Sequence, residues 1–173
     1  MPKMYGGQRE TKHISRKATQ NGFRAFDFAI DTQQRFNLYI VINLRETVAA
    51  SSSIFQAVRH KFRDWLNNRY RRSGLPPKQP AYLVSFENPG DNHPHVNWTL
   101  HLPDAFTAEF LEKLPGWVRK AQRVLPAPFD IEAQRVKPGT EKRLAKYVLK
   151  GTDPECVDHF YLRELFEAHG PQG

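Results

Sequence analysis

A small set of residues in this chain has the types and spacing needed to do chemistry on a phosphate. Glu87, His95 and Asn97 fall in one short stretch and offer a carboxylate, an imidazole and an amide oxygen. Such a set suits Mn²⁺ or Mg²⁺ and leaves room for water or phosphate oxygens on the ion. Further along comes Tyr147-Val148-Leu149-Lys150. Residues three apart share one face of a helix, which sets the Lys150 ammonium beside the Tyr147 phenol. A free phenol has a pKa of about 10 and is a poor nucleophile at neutral pH, so a neighbouring cation is what would favour phenolate. His93 and His101 read as surface or hydrogen-bonded histidines rather than ligands.

Two kinds of element must position these groups. Tyr82, Val84 and Phe86 form one apolar face of a strand, and Val96, Trp98, Leu100 and Leu102 form the matching face of the next. Side chains alternate along a strand, so keeping those faces together forces Glu87, His95, Asn97, Thr99 and His101 to the other side. With Val84 opposite Trp98, Glu87 stands opposite His95, their Cβ atoms about 4.5–5.5 Å apart. Pro138-Gly139-Thr140 opens a helix over 140–150 that Gly151 closes, and it carries Tyr147 and Lys150.

The remaining chain supplies the scaffold. Phe26, Phe28 and Ile30 alternate with Asp27 and Ala29, which predicts a strand, and 36–44 predicts its partner. A helix starts at Ser51-Ser52-Ser53, with Ile54, Val58, Phe62 and Trp65 on one stripe, and Gly74-Leu75-Pro76-Pro77 ends it. A further helix over 106–114, interrupted at Pro115-Gly116, precedes a strand over 129–136. The order β-β-α-β-β-α-β-α implies an α+β fold, a central antiparallel sheet of about five strands with helices mainly on one face. Residues 1–22, basic and almost without apolar anchors, read as a flexible arm, 23–166 as the folded domain and 167–173 as a tail.

Composition narrows the partners. The chain has 173 residues, the size of one domain, with 39% hydrophobic and 25% charged residues and a formal net charge of +8. That charge fits a partner rich in phosphate. Candidate DNA contacts are Arg59, Arg63, Arg69, Arg71 and Arg72 on the basic face of the long helix, with Lys146 beside Tyr147. No apolar run approaches the length of a membrane span, so no membrane partner is expected. The single Cys156 and the lack of a secretory leader pattern predict a reducing, cytoplasmic setting.

Glu87, then Pro94-His95-Val96-Asn97, then Tyr147-Val148-Leu149-Lys150, resembles in order and spacing the nicking domain of rolling-circle replication initiators (Rep proteins) of the HUH endonuclease superfamily. The likeness runs over about residues 36–151. In that family a strand-end carboxylate and a His-hydrophobic-His or His-hydrophobic-Gln pair hold a divalent metal, and the tyrosine attacks DNA. The resemblance implies nicking and rejoining of single-stranded or hairpin DNA through a 5′-phosphotyrosine link, in replication, transfer or transposition of a mobile element. It implies Tyr147 and Lys150 as the catalytic pair, Glu87, His95 and Asn97 as ligands of Mn²⁺ or Mg²⁺, and action as a monomer or dimer. Asn97 stands where the family has His or Gln. The G-x-x-x-x-G-K-[ST] phosphate loop of a helicase is absent from the sequence, so a separate helicase is implied. Two alternatives stand beside this: a catalytically weakened DNA-binding protein of the same fold, and an RNA-binding α/β domain. Against the latter, Glu87, His95 and Asn97 occupy the sheet face where stacking aromatics would be needed.

Overall fold

Leu38, Ile40 and Ile42 point to one side of strand β1 (Leu38–Asn43), and each is at most 2% exposed. Around that strand the computed structural model describes residues 13–45, 48–87 and 94–165, without the side chains of 48–50. The other elements are α1 (Arg16–Asp31), α2 (Val48–Ser73), β2 (Tyr82–Glu87), β3 (His95–Leu100), α3 (Asp104–Gln122), β4 (Ile131–Arg135) and α4 (Glu141–Val148). A short 3₁₀ turn at Pro154–Cys156 follows. The strands form one antiparallel sheet in the order β2-β3-β1-β4.

The hairpin register is one of those that matched apolar faces allow: Val84 pairs with Trp98 and Glu87 with His95. Ile40 meets Trp98 from the other side. Trp98 lies edge-on to Phe55, Phe62 and Phe110 at centroid distances of 5.2, 5.0 and 5.7 Å, so α2 and α3 seal this face. The ladder of β3 stops at Leu100, short of Leu102, because the Asn37 side chain takes over both backbone groups of Leu102. Its Nδ2 donates to the carbonyl at 2.7 Å and its Oδ1 accepts from the N–H at 2.9 Å. The turn residues 88–92 and His93 lie outside the described residues. No helix among the described residues is long and apolar enough to cross a membrane.

The α+β class holds with four strands rather than five. The strand expected over 26–30 lies inside α1, whose buried residues Thr19, Gly22, Phe26 and Ala29 recur at three- and four-residue steps while Phe28 is 65% exposed. Ser15 caps this helix, its side chain accepting from the Ala18 N–H. Phe26 meets Phe36 edge-on at 4.9 Å, in a second cluster with Ala29 and Ala145. Helix α1 therefore packs with α4 on the sheet face opposite α2 and α3. The arm expected over 1–22 is helical from Arg16; residues 1–12 and 166–173 lie outside the described residues.

Helix α3 runs straight through Pro115 instead of breaking there, since Phe110, Leu114, Val118 and Gln122 keep one stripe buried on both sides of it. Helix α2 begins at Val48, ahead of the serines, and Ser51 is buried within it.

Gly22 sets the approach of α1 to the turn after α4: a Cβ there would stand 2.6 Å from Cδ2 of Leu149. Gly22→Leu is expected to destabilise the fold by about 1–3 kcal/mol through overpacking, read as a lower urea midpoint at unchanged slope. An unchanged midpoint would show that α1 does not dock there.

Candidate active site

The sheet face turned away from Trp98 is mostly polar across β2, β3 and β1. Strand pairing lays its residues in rows, Glu87 beside His95 beside Asn43, then Ser85 beside Asn97 beside Val41, then Leu83 beside Thr99 beside Tyr39. Asn97 and Thr99 are buried, and His95 is partly exposed.

Helix α4 and the turn that ends it close over this face. The Ser85 hydroxyl donates to the carbonyl of Val148 at 3.3 Å, and the rings of Tyr147 and Tyr39 meet edge-on with centroids 6.2 Å apart. The helix stops at Val148, so Lys150 is not on it; its N–H bonds to the Tyr147 carbonyl at 3.3 Å in a tight turn. That turn still brings the Lys150 side chain back to Tyr147, its Nζ 4.2 Å from the ring centroid, within cation–π range. The same Nζ is 3.3 Å from Oε2 of Glu87, in an ion pair whose side chains are 5% and 11% exposed. Glu87, expected as a metal ligand, thus has one oxygen committed to Lys150 and its Oε1 buried without a partner.

Tyr39 decides two further points. Burial, reinforced by Tyr147, Glu87 and Glu132 nearby, holds its hydroxyl well above the ordinary phenol pKa. It therefore keeps its proton and donates it to Oδ1 of Asn97 at 2.6 Å. Of the two phenols in contact here, Tyr147 is the more open at 36% exposure against 7% for Tyr39, and it is the one under a cation. The bond from Tyr39 also corrects the expected metal set: the Asn97 oxygen is engaged, and it is Nδ2 that lies buried without a partner. Among the described residues no three of His, Cys, Asp or Glu gather as a metal cluster. Glu87 and His95 stand side by side, and the orphaned Oε1 next to the imidazole is a donor pair suited to a divalent cation.

Comparison of the chain with family models, with curated proteins and with solved structures finds no match.

The basic residues expected to hold DNA divide by position. Arg59, Arg63, Arg69, Arg71 and Arg72 belong to α2, which packs on the Trp98 side, so the sheet separates them from Tyr147. Arg59 donates to the Tyr82 hydroxyl at 3.2 Å and to Gln56. Arg69 pairs with Glu109 at 3.0 Å and lies over the Phe106 ring, so it is structurally engaged. Arg63, Arg71 and Arg72 are exposed. Lys146 is carried by α4 and directly precedes Tyr147.

A groove of about 390 Å³ opens beside Tyr147 between β4 and α4, lined by Tyr39, Tyr147, Arg135, Lys137, Thr140 and Arg143. Arg135 also pairs with Asp104 at 2.6 Å. The density of Lys and Arg between 135 and 146 was the available signal for this groove, and the parity of β1 was the signal for Tyr39. His101 is engaged elsewhere, its Nδ1 bonded to the Arg35 carbonyl at 2.8 Å.

Proposed function

We propose that this protein nicks and rejoins single-stranded DNA with Tyr147 as nucleophile. The observation that carries it is the meeting of Tyr147, Lys150 and Glu87 on the polar sheet face, with Tyr39 locked as a proton donor and so removed from competition. Tyr147 loses its proton and its oxygen forms a bond to a backbone phosphorus. The bond from phosphorus to the 3′ oxygen breaks, and that oxygen takes up a proton and leaves as a 3′-hydroxyl. A 5′-phosphotyrosine remains, and attack by a 3′-hydroxyl reverses the step at little energetic cost.

Lys150, held in place by Glu87, stabilises the charge that builds on the phosphoryl group. Glu87 Oε1 and the His95 imidazole would hold a divalent cation, Mn²⁺ or Mg²⁺, which supplies Lewis-acid polarisation of the phosphate when bound. The groove flanked by Lys137 and Arg143 receives the strand next to the scissile bond. Unwinding falls to a separate helicase, and the chemistry serves replication, transfer or transposition of a mobile element alike. A cytoplasmic setting belongs to the same reading.

Incubation with a pool of single-stranded and hairpin oligonucleotides and Mn²⁺, followed by a denaturing gel, tests this: a covalent protein–DNA species is expected. Hairpin binding that never yields one would select a DNA-binding protein without nicking activity.

Affinity for non-cognate single strands is expected to fall steeply with salt, because basic side chains release condensed counterions. Four phosphate contacts would give a slope of log K on log salt of about −3. A dissociation constant that is flat between about 50 and 200 mM salt would rule out electrostatic capture.

A further inference from the structure

The row Glu87, His95, Asn43 holds an acceptor that neither the family pattern nor the sequence motifs assign. Asn43 ends β1 and pairs with His95 across the ladder, while His95 pairs with Glu87 on its other side. The Asn43 amide is anchored by its nitrogen: Nδ2 donates to the Phe129 carbonyl at 3.2 Å, and Phe129 lies just ahead of β4, beyond β1 from β3. The oxygen and nitrogen of an amide diverge from their shared carbon, so with Nδ2 held at Phe129 the oxygen is directed away from that carbonyl. That oxygen is buried and accepts nothing, as is Oε1 of Glu87. Two buried oxygens without donors, one of a carboxylate and one of an amide, thus belong to the two residues that flank His95 across the ladder. A buried acceptor left unpaired carries a desolvation cost, and a shared cation would remove it from both.

We infer that Asn43 is a cation ligand, its Oδ1 completing with Glu87 Oε1 and His95 a site for a divalent ion of the Mn²⁺ or Mg²⁺ kind. Mixed oxygen and imidazole donors suit Mn²⁺ in particular. Adjacent strands are about 4.8 Å apart, so Asn43 and Glu87 rise on either side of His95 with side chains able to lean over it. Asn97, one row away, acts instead as the acceptor that holds Tyr39. The inference rests on the proposed nicking reading only for the use of the ion; the site itself is argued from the orphaned oxygens.

Calorimetric titration of Mn²⁺ into the full chain tests it. Asn43→Ala is expected to weaken Mn²⁺ binding at least tenfold. Asn43→Asp, which keeps an oxygen at the ligand position but cannot donate to Phe129, is expected to bind as tightly as the parent or tighter. Asn97→Leu is expected to change affinity less than threefold. Parent-like affinity in Asn43→Ala overturns the assignment, and so does equal weakening in Asn43→Ala and Asn43→Asp, which would trace the effect to the lost Phe129 bond. A parent that binds no Mn²⁺ overturns it as well. Circular dichroism of each variant confirms that a folded chain is being titrated. Covalent DNA capture in a chain whose Mn²⁺ affinity ignores Asn43 would remove this ligand and keep the nickase. Mn²⁺ binding through Asn43 without any adduct would keep the site and remove the nickase.

Discussion

Tyr147→Phe is expected to reduce covalent capture of DNA by on the order of a thousandfold or more, to the background of the assay, while affinity for the same oligonucleotide changes less than about threefold. Only the nucleophilic oxygen is lost. The ring stays edge-on to Tyr39 and beneath the Lys150 ammonium, so both of those contacts are kept. The paired control is Tyr39→Phe, which removes the proton held by Asn97 and leaves Tyr147 intact. It should still form the adduct. Adduct formation by Tyr147→Phe would move the nucleophile elsewhere, with Tyr161, 82% exposed, the first to substitute next. Adduct lost in Tyr39→Phe and kept in Tyr147→Phe would reverse the roles assigned to the two phenols.

Lys150→Met is expected to lower global stability by about 3–5 kcal/mol, an effect large enough to threaten the fold of a domain this size. The reason is electrostatic more than steric. Lys150 and Glu87 are almost wholly withdrawn from water, and removing the ammonium leaves a buried carboxylate with neither oxygen compensated. Replacing both members, as Glu87→Leu with Lys150→Met, removes the stranded charge and should recover most of the loss, although it destroys the site. Urea unfolding of the two single variants and the double variant gives the coupling directly. Additive single effects would mean that the pair is screened by solvent and that Lys150 is held by something other than Glu87.

Much of the scaffold was legible in the sequence because it depends on short-range periodicity. In the β2–β3 hairpin, parity places Tyr82, Val84 and Phe86 on one side with Val96, Trp98 and Leu100, but a shift of two residues preserves that match, so the register itself, Val84 opposite Trp98, belongs to the fold. Parity puts Glu87 and His95 on one face, and the observed register makes them direct neighbours. Helix α2 was legible for a similar reason, through the stripe of Ile54, Val58 and Phe62.

Residues 26–30 mark where such reasoning stops. Phe26, Phe28 and Ile30 alternate as a strand would, yet Thr19, Gly22, Phe26 and Ala29 also make a helical stripe. Which pattern is realised depends on partners distant in sequence: Phe36 and Ala145 for Phe26 and Ala29, and Leu149 for Gly22. Local pattern admitted both, and packing chose the helix.

The same limit governs the site. The sequence by itself determined that a carboxylate, an imidazole and an amide would share one sheet face, and that a tyrosine and a lysine would come close together near the end of the last helix. Only the tertiary structure decided how those groups spend their hydrogen-bonding capacity. Lys150 is claimed by Glu87, Asn97 gives its oxygen to Tyr39, and Asn43 gives its nitrogen to Phe129 while its oxygen is left without a donor. An amide can present either end and a carboxylate either oxygen. The choice follows from which donor or acceptor lies within about 3 Å in space, a fact that spacing along the chain does not contain.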